Sequence, residues 1–336
     1  MLRFGTTGIE GKVVYVHSDA EIAVYALNKE QYSTDGFLAY PTDVIGYEYY
    51  TVSHTPSSSY TVFAIAAKFD DTDIDIRFPA LADGGIPLRV EYGGQLYTNG
   101  DQLSLTLQSF QGFQCLALDQ SDLTGTYITS SMPIAVFSGN VRTYVGSMTS
   151  RDHLSVQLPP VQAYGTTFPI VPTPARTVGD MIRVISSQPN TRILVEGPPP
   201  RYFDLTDSGD FVEFFVPSNA PSTVSSDHPL LVVQITQSQV SNEELADPTM
   251  SVVTAVDQYL SGYVFSTPQY YSGGSYDNWL MVMISSEETS GLMFDNRPFS
   301  ELSPDWTPIP GEPIPLSLPC LLPLPVERLA FSPLLV

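Results

Sequence analysis

Residues 128–137 read Ile128-Thr129-Ser130-Ser131-Met132-Pro133-Ile134-Ala135-Val136-Phe137, and two further stretches of the chain follow the same pattern. One begins at Val16 and the other at Val224. Each contains a strand end, a polar segment with serine and then an apolar strand. The copies begin at residues 16, 128 and 224, so they are 112 and 96 residues apart. This self-similarity predicts three related units in tandem.

Two more elements recur in the same order after each copy. The second element opens with an aspartate and leads to a glycine, and its copies run from Asp35 to Gly46, from Asp152 to Gly165 and from Asp247 to Gly262. The third element is a strand, a turn and a strand over residues 65–76 and 184–195, with a weaker copy over 283–289. The turn sequences predict a hairpin, in which Ile74 and Ile76 face the core.

A period near 100 residues is typical of a β-sandwich, whereas a propeller blade repeats at about 40 to 45 residues. We therefore expect an all-β chain of three antiparallel β-sandwich-like units, with a β-propeller-like array as the alternative. The predicted units are 1–124, with a Gly-rich insertion at 79–107, then 125–221 and 222–302. Residues 303–336 contain nine prolines and no alternation, which predicts a disordered tail.

The composition supports strands and limits the partners. The chain has 19 Tyr, 17 Phe, 29 Pro and 23 Gly in 336 residues, a density of helix breakers that long helices do not tolerate. Its net charge is -22, and such a surface repels nucleic acid and anionic lipid. No apolar run approaches the roughly 18 residues of a membrane span, so we expect no membrane insertion.

Motifs for catalysis and metal binding are absent from the sequence. There is no P-loop, dinucleotide-binding glycine pattern or paired metal ligand around the four histidines. Asp152 and His153 suggest a catalytic triad only superficially, since a triad is defined by geometry. Residues 70–75 carry four aspartates but lack the glycine and the distal glutamate of an EF-hand. We expect no cofactor and no enzymatic activity, with a glycan-active enzyme as the contrary hypothesis.

The repeated aspartates Asp35, Asp152 and Asp247 allow two interpretations. Each could cap a turn by accepting hydrogen bonds from backbone N–H groups. The alternative is a divalent-cation or partner site at the edge between units. Tyr270, Tyr271 and Tyr276 are partner-binding candidates, because exposed tyrosines suit protein interfaces.

The chain resembles the N-terminal domain of the IgG Fc-binding protein family, which is secreted into mucus. The resemblance is carried by residues 18–28, 122–130 and 133–140, by Asp152-His153-Leu154 with residues 157–160, and by residues 226–229. Val141 and Arg151 stand near positions where family members commonly carry cysteines. Family members also begin with a signal peptide and further β-structure, so we expect a truncated gene product.

The resemblance implies an extracellular protein-binding or adhesion module, with a role in mucus or innate defence, within a larger multidomain protein. Its partner would be an extracellular protein or a glycan. The resemblance does not carry IgG binding to this chain. The alternative is a structural component of the mucus matrix that acts by oligomerising.

Overall fold

The structure is a computed structural model that describes residues 6–30, 33–56, 59–81, 85–146, 150–239, 246–266, 278–302, 306–311, 316–319 and 322–324. Within these ranges the chain forms antiparallel strands and short 3₁₀ turns and no α-helix, so the predicted all-β class is confirmed. The strands of the first half are β1 (Gly8–Glu10), β2 (Tyr25–Glu30), β3 (Ser33–Leu38), β4 (Gly46–Tyr50), β5 (Thr61–Ala67), β6 (Thr72–Arg77), β7 (Val90–Tyr92), β8 (Gln95–Tyr97), β9 (Gln102–Leu107), β10 (Gly112–Leu116), β11 (Tyr127–Thr143) and β12 (Asp152–Leu158).

The strands of the second half are β13 (Gly165–Ile170), β14 (Asp180–Ser186), β15 (Thr191–Glu196), β16 (Arg201–Leu205), β17 (Phe211–Val216), β18 (Ser222–Ile235), β19 (Met250–Val252), β20 (Asn278–Leu280), β21 (Ile284–Ser285), β22 (Met293–Phe294), β23 (Arg297–Pro298), β24 (Trp306–Ile309), β25 (Leu316–Pro319) and β26 (Leu322–Leu324). The 3₁₀ turns are Val161–Ala163, Val256–Gln258, Thr289–Gly291 and Phe299–Glu301.

The long strand β11 organises the first unit. Its N-terminal half lies between β4 and β6, and its C-terminal half lies between β5 and β12. The strand changes neighbours at residues 130–133, the polar segment of the repeat, where it is exposed or half-buried. The Ser130 hydroxyl donates a hydrogen bond to the Met132 carbonyl there at 2.7 Å.

The predicted hairpin over residues 65–76 is therefore wrong as a pairing. β5 and β6 follow one another along the same side of β11 and pair with it, rather than with each other. The turn between them and the burial pattern are as predicted, since Ile74 and Ile76 are buried while Asp73 and Asp75 are exposed. The pairing of each half with a distant strand, about 60 residues away, outweighs the local hairpin.

The second unit repeats this arrangement around β18. β13 and β15 flank its N-terminal half, and β14 and β19 flank its C-terminal half. The details repeat as well: the Ser226 hydroxyl donates to the His228 carbonyl at 2.7 Å, as Ser130 does to Met132. The segment 184–195, predicted as a hairpin, likewise has its two strands on β18 instead of on each other. The copies of the repeat at residues 128 and 224 are thus alike in structure, whereas residues 16–24 of the first copy form no strand.

The described residues form two main core clusters, and the first also includes side chains of the second unit, such as Met181 and Val233. The first cluster centres on the inward side chains of β4 to β12, and the second on those of β13 to β18. The insertion at 79–107 contributes Leu88, Val90 and Tyr97 to the first core. It also forms the β7–β8 hairpin, whose turn residues Gly93 and Gly94 have φ values of 60° and 77°. Only glycine adopts two such values readily, which matches a type I′ turn.

Two long strands, β11 and β18, belong to the sheets of the residues that precede the predicted unit boundaries. β11 begins just after residue 124, yet it completes the sheet of the residues before it. β18 does the same for the second unit. The boundaries at 124 and 221 stay predictions, and each long strand joins one unit to the next.

The third unit and the tail are formed by short strands in the described residues. β20 to β23 have two or three residues each. In the tail predicted to be disordered, the structure instead places β24 against β25, and Ile309 is buried beside Val171. The Thr223 hydroxyl also donates to the Pro310 carbonyl, so this part of the tail packs on the second unit.

Candidate binding surface on the first hairpin

Three equivalent strand pairs connect the units: β2–β3, the C-terminal half of β11 with β12, and the end of β18 with β19. Equivalent hydrogen bonds define their common register. The Ala39 N–H donates to the Val24 carbonyl at 2.8 Å, and the Val253 N–H donates to the Val232 carbonyl at 2.9 Å. By this register Tyr25 corresponds to Val233 and Leu27 to Ile235, and the gapless alignment of the repeat places Phe137 and Gly139 at the same two positions.

The first predicted aspartate links all three strand pairs. The Asp35 carboxylate accepts hydrogen bonds from the Ser155 N–H at 2.8 Å and from the Thr249 hydroxyl at 2.7 Å. It also accepts one from the N–H of Gly36. Burial raises the pKa of Asp35 to about 6. Asp35 is therefore a buried acceptor at the junction of the three pairs.

The other two aspartates lie close to this junction. The Asp152 carboxylate is buried and accepts hydrogen bonds from the Ser33 hydroxyl and from the N–H of Thr34. Asp247 is exposed overall, but its carboxyl group is partly desolvated. This desolvation and the nearby charge of Asp152 raise the pKa of Asp247. Asp35 and Asp152 use their oxygens for protein donors, but both lie within strands and bond donors on other strands, so neither is the local turn cap that the sequence suggested. Within the described residues no group of three His, Cys, Asp or Glu could hold a metal ion.

The outer face of the β2–β3 pair is apolar and exposed. Tyr25 is 51 % exposed, Leu27 67 % and Leu38 49 %. These side chains lie on one face, because Tyr25 is paired with Leu38 and side chains alternate along a strand. The inner face packs on the second pair, where the rings of Phe37 and Phe137 are 5.3 Å apart. The β2–β3 pair, called the first hairpin below, thus packs on the protein with its inner face and exposes apolar side chains on its outer face.

A buried arginine that the sequence reasoning did not single out joins the first two units. Arg183 of β14 is 1 % exposed. It forms ion pairs with Asp122 at 2.8 Å and Glu213 at 2.6 Å, and its guanidinium lies 4.6 Å from the Phe211 ring centre. Burial disfavours the charge of Asp122, but Arg183 outweighs it and holds the pKa of Asp122 below its usual value. A lone arginine inside the apolar run of residues 181–185 was the available signal.

The remaining predicted sites divide into three groups. Tyr270, Tyr271 and Tyr276 lie outside the described residues. Residues 141–146, which follow the Ser-Gly-Asn of the family resemblance, do not form a free loop, since Val145 is fully buried and its backbone bonds Ser238. The calcium-like aspartates of residues 70–75 are paired with neighbouring groups, as in the bond from the Thr106 hydroxyl to Asp73 at 2.7 Å.

Two hollows in the described residues bear on the hypothesis of a glycan-active enzyme. An open hollow of about 300 Å³ lies beside the β7–β8 hairpin and is lined by one acidic residue, Glu91. A small cavity of about 30 Å³ lies between the units and has no acidic residue in its lining. Neither holds the pair of carboxylates that glycoside hydrolysis uses. No helix in the described part of the chain is long and apolar enough to span a bilayer.

The fold and this surface define a class: an all-β module of related units that presents an exposed apolar strand pair. The sequence profile of the IgGFc binding protein family matches residues 35–314. The chain belongs to this family. It is also 28 % identical over 302 residues to the human (Homo sapiens) IgGFc-binding protein. The alignment covers 89 % of this chain but 5 % of the human protein, so the chain spans about one twentieth of that relative's length. No solved structure matches.

Proposed function

We propose that this chain is a non-catalytic, extracellular protein-binding or adhesion module that acts in mucus or innate defence. The observation that carries the proposal is the apolar outer face of the β2–β3 pair. Exposed apolar patches on a folded unit mark interaction sites, and here Tyr25, Leu27 and Leu38 adjoin on one face.

The acidic surface supports a protein or glycan partner over nucleic acid. With 36 acidic against 14 basic residues, the chain repels phosphate-rich partners at neutral pH. Family membership supports a protein ligand, because the human relative is named for binding the Fc part of IgG. Secretion, the mucus environment and a place in a larger protein are proposed from that relative.

A pull-down from the mucus of the source animal tests the proposal. The bait is the chain with an affinity tag, compared with the double variant Tyr25→Ser/Leu27→Ser. The matched control is Tyr202→Ser, which removes a tyrosine that is 76 % exposed on β16. We expect defined extracellular proteins to be retained by the wild type and by Tyr202→Ser, and to be lost with the double variant. The same set of proteins on all three baits would contradict the proposal.

A structural role through oligomerisation is the second candidate. The same exposed face favours it, since an apolar strand pair can also meet its own copy. Light scattering after size exclusion separates the two. A chain that stays monomeric at all concentrations supports the binding module. An oligomer that is lost in the Tyr25→Ser/Leu27→Ser variant supports the matrix component.

A further inference from the structure

The exposed strand β2 also has an unpaired edge. The Ala39 N–H donates to the Val24 carbonyl, so the backbone groups of Val24 point toward β3. Backbone groups alternate between the two edges of an antiparallel strand. The N–H and C=O groups of Tyr25, Leu27 and Lys29 therefore point away from β3. Across the described residues, no strand pairs with β2 on that side.

The equivalent edges in the second and third pairs are filled. β5 pairs with residues 134–140 of β11, opposite β12, and β14 pairs with residues 230–235 of β18, opposite β19. The Val141 N–H, which corresponds to that of Lys29, donates to the Tyr60 carbonyl at the start of β5 at 3.0 Å. In both cases the added strand is antiparallel and belongs to the unit that the long strand completes.

The positions equivalent to the exposed apolar face are also covered in the other two pairs. Val233 and Ile235, which correspond to Tyr25 and Leu27, are fully buried in the first core cluster. Phe137 is half-buried against the first hairpin. Only the first pair leaves both this face and this edge uncovered within the described residues, although its sequence matches the other two.

We infer that β2 binds an antiparallel strand of the β5 and β14 type, supplied by a related β unit outside residues 1–336, since β5 and β14 of a second copy already pair with its own β11 and β18. The incoming strand pairs with the backbone of Tyr25, Leu27 and Lys29, and side chains of its unit cover the apolar face. This is recognition by strand addition, in which main-chain hydrogen bonds provide affinity and alternate side chains provide specificity. The inference rests on the proposed binding function and specifies that the partner contributes a β-strand.

The occupant is defined by the strands that fill the equivalent edges. β5 reads Thr61-Val62-Phe63-Ala64-Ile65-Ala66-Ala67, and five of its seven residues are buried. All seven residues of β14 are buried. A strand that fits β2 is therefore one that becomes buried on both faces, and it is free of proline, since proline removes the N–H that the ladder needs.

Synthetic peptides provide the test. Fluorescent peptides of residues 60–68 and 179–187, together with a scrambled peptide of residues 60–68, are titrated against the intact chain. The variant Leu27→Pro removes one N–H from the free edge, and Tyr202→Ser is the control for loss of an exposed apolar group. We expect saturable binding of the two native sequences, a loss of about tenfold or more with Leu27→Pro and no change with Tyr202→Ser.

A second readout covers the case in which Leu27→Pro disturbs the hairpin itself. Amide hydrogen exchange of the wild type with the 60–68 peptide should show protection of Leu27 and Lys29. Absence of protection, or binding that Leu27→Pro leaves intact, would overturn the inference. A dimer of the free chain that Leu27→Pro abolishes would also overturn it, because a second copy would then occupy the edge. Failure of the peptides while mucus capture still depends on Tyr25 and Leu27 overturns strand addition but leaves the proposed function standing.

Discussion

The carboxylate of Asp35 accepts a hydrogen bond from the hydroxyl of Thr249 at 2.7 Å, although the two residues are 214 positions apart in the chain. The same carboxylate accepts a hydrogen bond from the N–H of Ser155. Three equivalent strand pairs therefore meet at one buried acid. This junction fixes the inner face of the first hairpin and leaves its outer face to solvent.

The ionisation of Asp35 should make stability depend on pH. Burial raises its pKa from 3.8 to about 6. Between these values the folded chain holds a proton that the unfolded chain has released, so this residue's contribution to the unfolding free energy falls as pH rises. Asparagine cannot ionise. We expect the stability of Asp35→Asn relative to wild type to rise by up to about 3 kcal/mol between pH 4 and pH 7.

Urea unfolding of both proteins at several pH values measures this difference. The companion variant Thr249→Val removes a hydrogen bond that lowers the pKa of Asp35. In this variant the pH-dependent loss of stability should therefore extend to higher pH. A difference between Asp35→Asn and wild type that stays constant over this range would show that Asp35 does not titrate there.

Removal of the Arg183 side chain should destabilise the contact between the first two units. Arg183→Met leaves the carboxylate of Asp122 without the partner that holds its pKa low. Breaking a buried ion pair from one side typically costs about 3–5 kcal/mol. Arg192→Met is the matched control, because the Arg192 side chain is 83 % exposed beside Asp204, and exposed pairs contribute about 0–1 kcal/mol. Equal midpoints in urea for the two variants would argue against a structural role for Arg183.

Gly165, at the end of the repeated element that begins with Asp152, should resist substitution. A Cβ atom on Gly165 would lie 2.4 Å from the Cβ atom of Ala255, and both atoms are close to the backbone. Overpacking of this kind costs about 1–3 kcal/mol, so Gly165→Ala should lower the melting temperature. Gly11→Ala is the control, since nothing lies within 4 Å of the added atom. Thermal unfolding followed by circular dichroism compares the two, and an unchanged melting point for Gly165→Ala would refute the close packing.

Local pattern was enough to predict strands such as β6 and which of their side chains are buried. Ile74 and Ile76 alternate with aspartates, and a strand exposes alternate residues to opposite faces whatever its neighbours are. The repeat of the polar segments at Ser130 and Ser226 was also visible, because the same short sequence makes the same local hydrogen bond in both units.

Pairing and exposure could not be predicted in this way. Whether β5 pairs with β6 or with β11 depends on a strand about 60 residues away. The partners of Arg183 lie in segments up to 130 residues distant. Tyr25 and Phe137 occupy equivalent positions in similar sequences, yet they differ in exposure because only Phe137 has a preceding strand pair packed against it.

Amide hydrogen exchange along β2, read by NMR residue by residue, tests the central claim most directly. The chain is measured alone and with the mucus protein that it captures. We expect the amides of Tyr25, Leu27 and Lys29 to exchange fast in the free chain, while those of Ala26 and Asn28, which face β3, exchange slowly. Bound ligand should then protect Leu27 and Lys29 by at least about tenfold. Protection confined to another part of the surface, with β2 unchanged, would contradict a binding surface on the first hairpin.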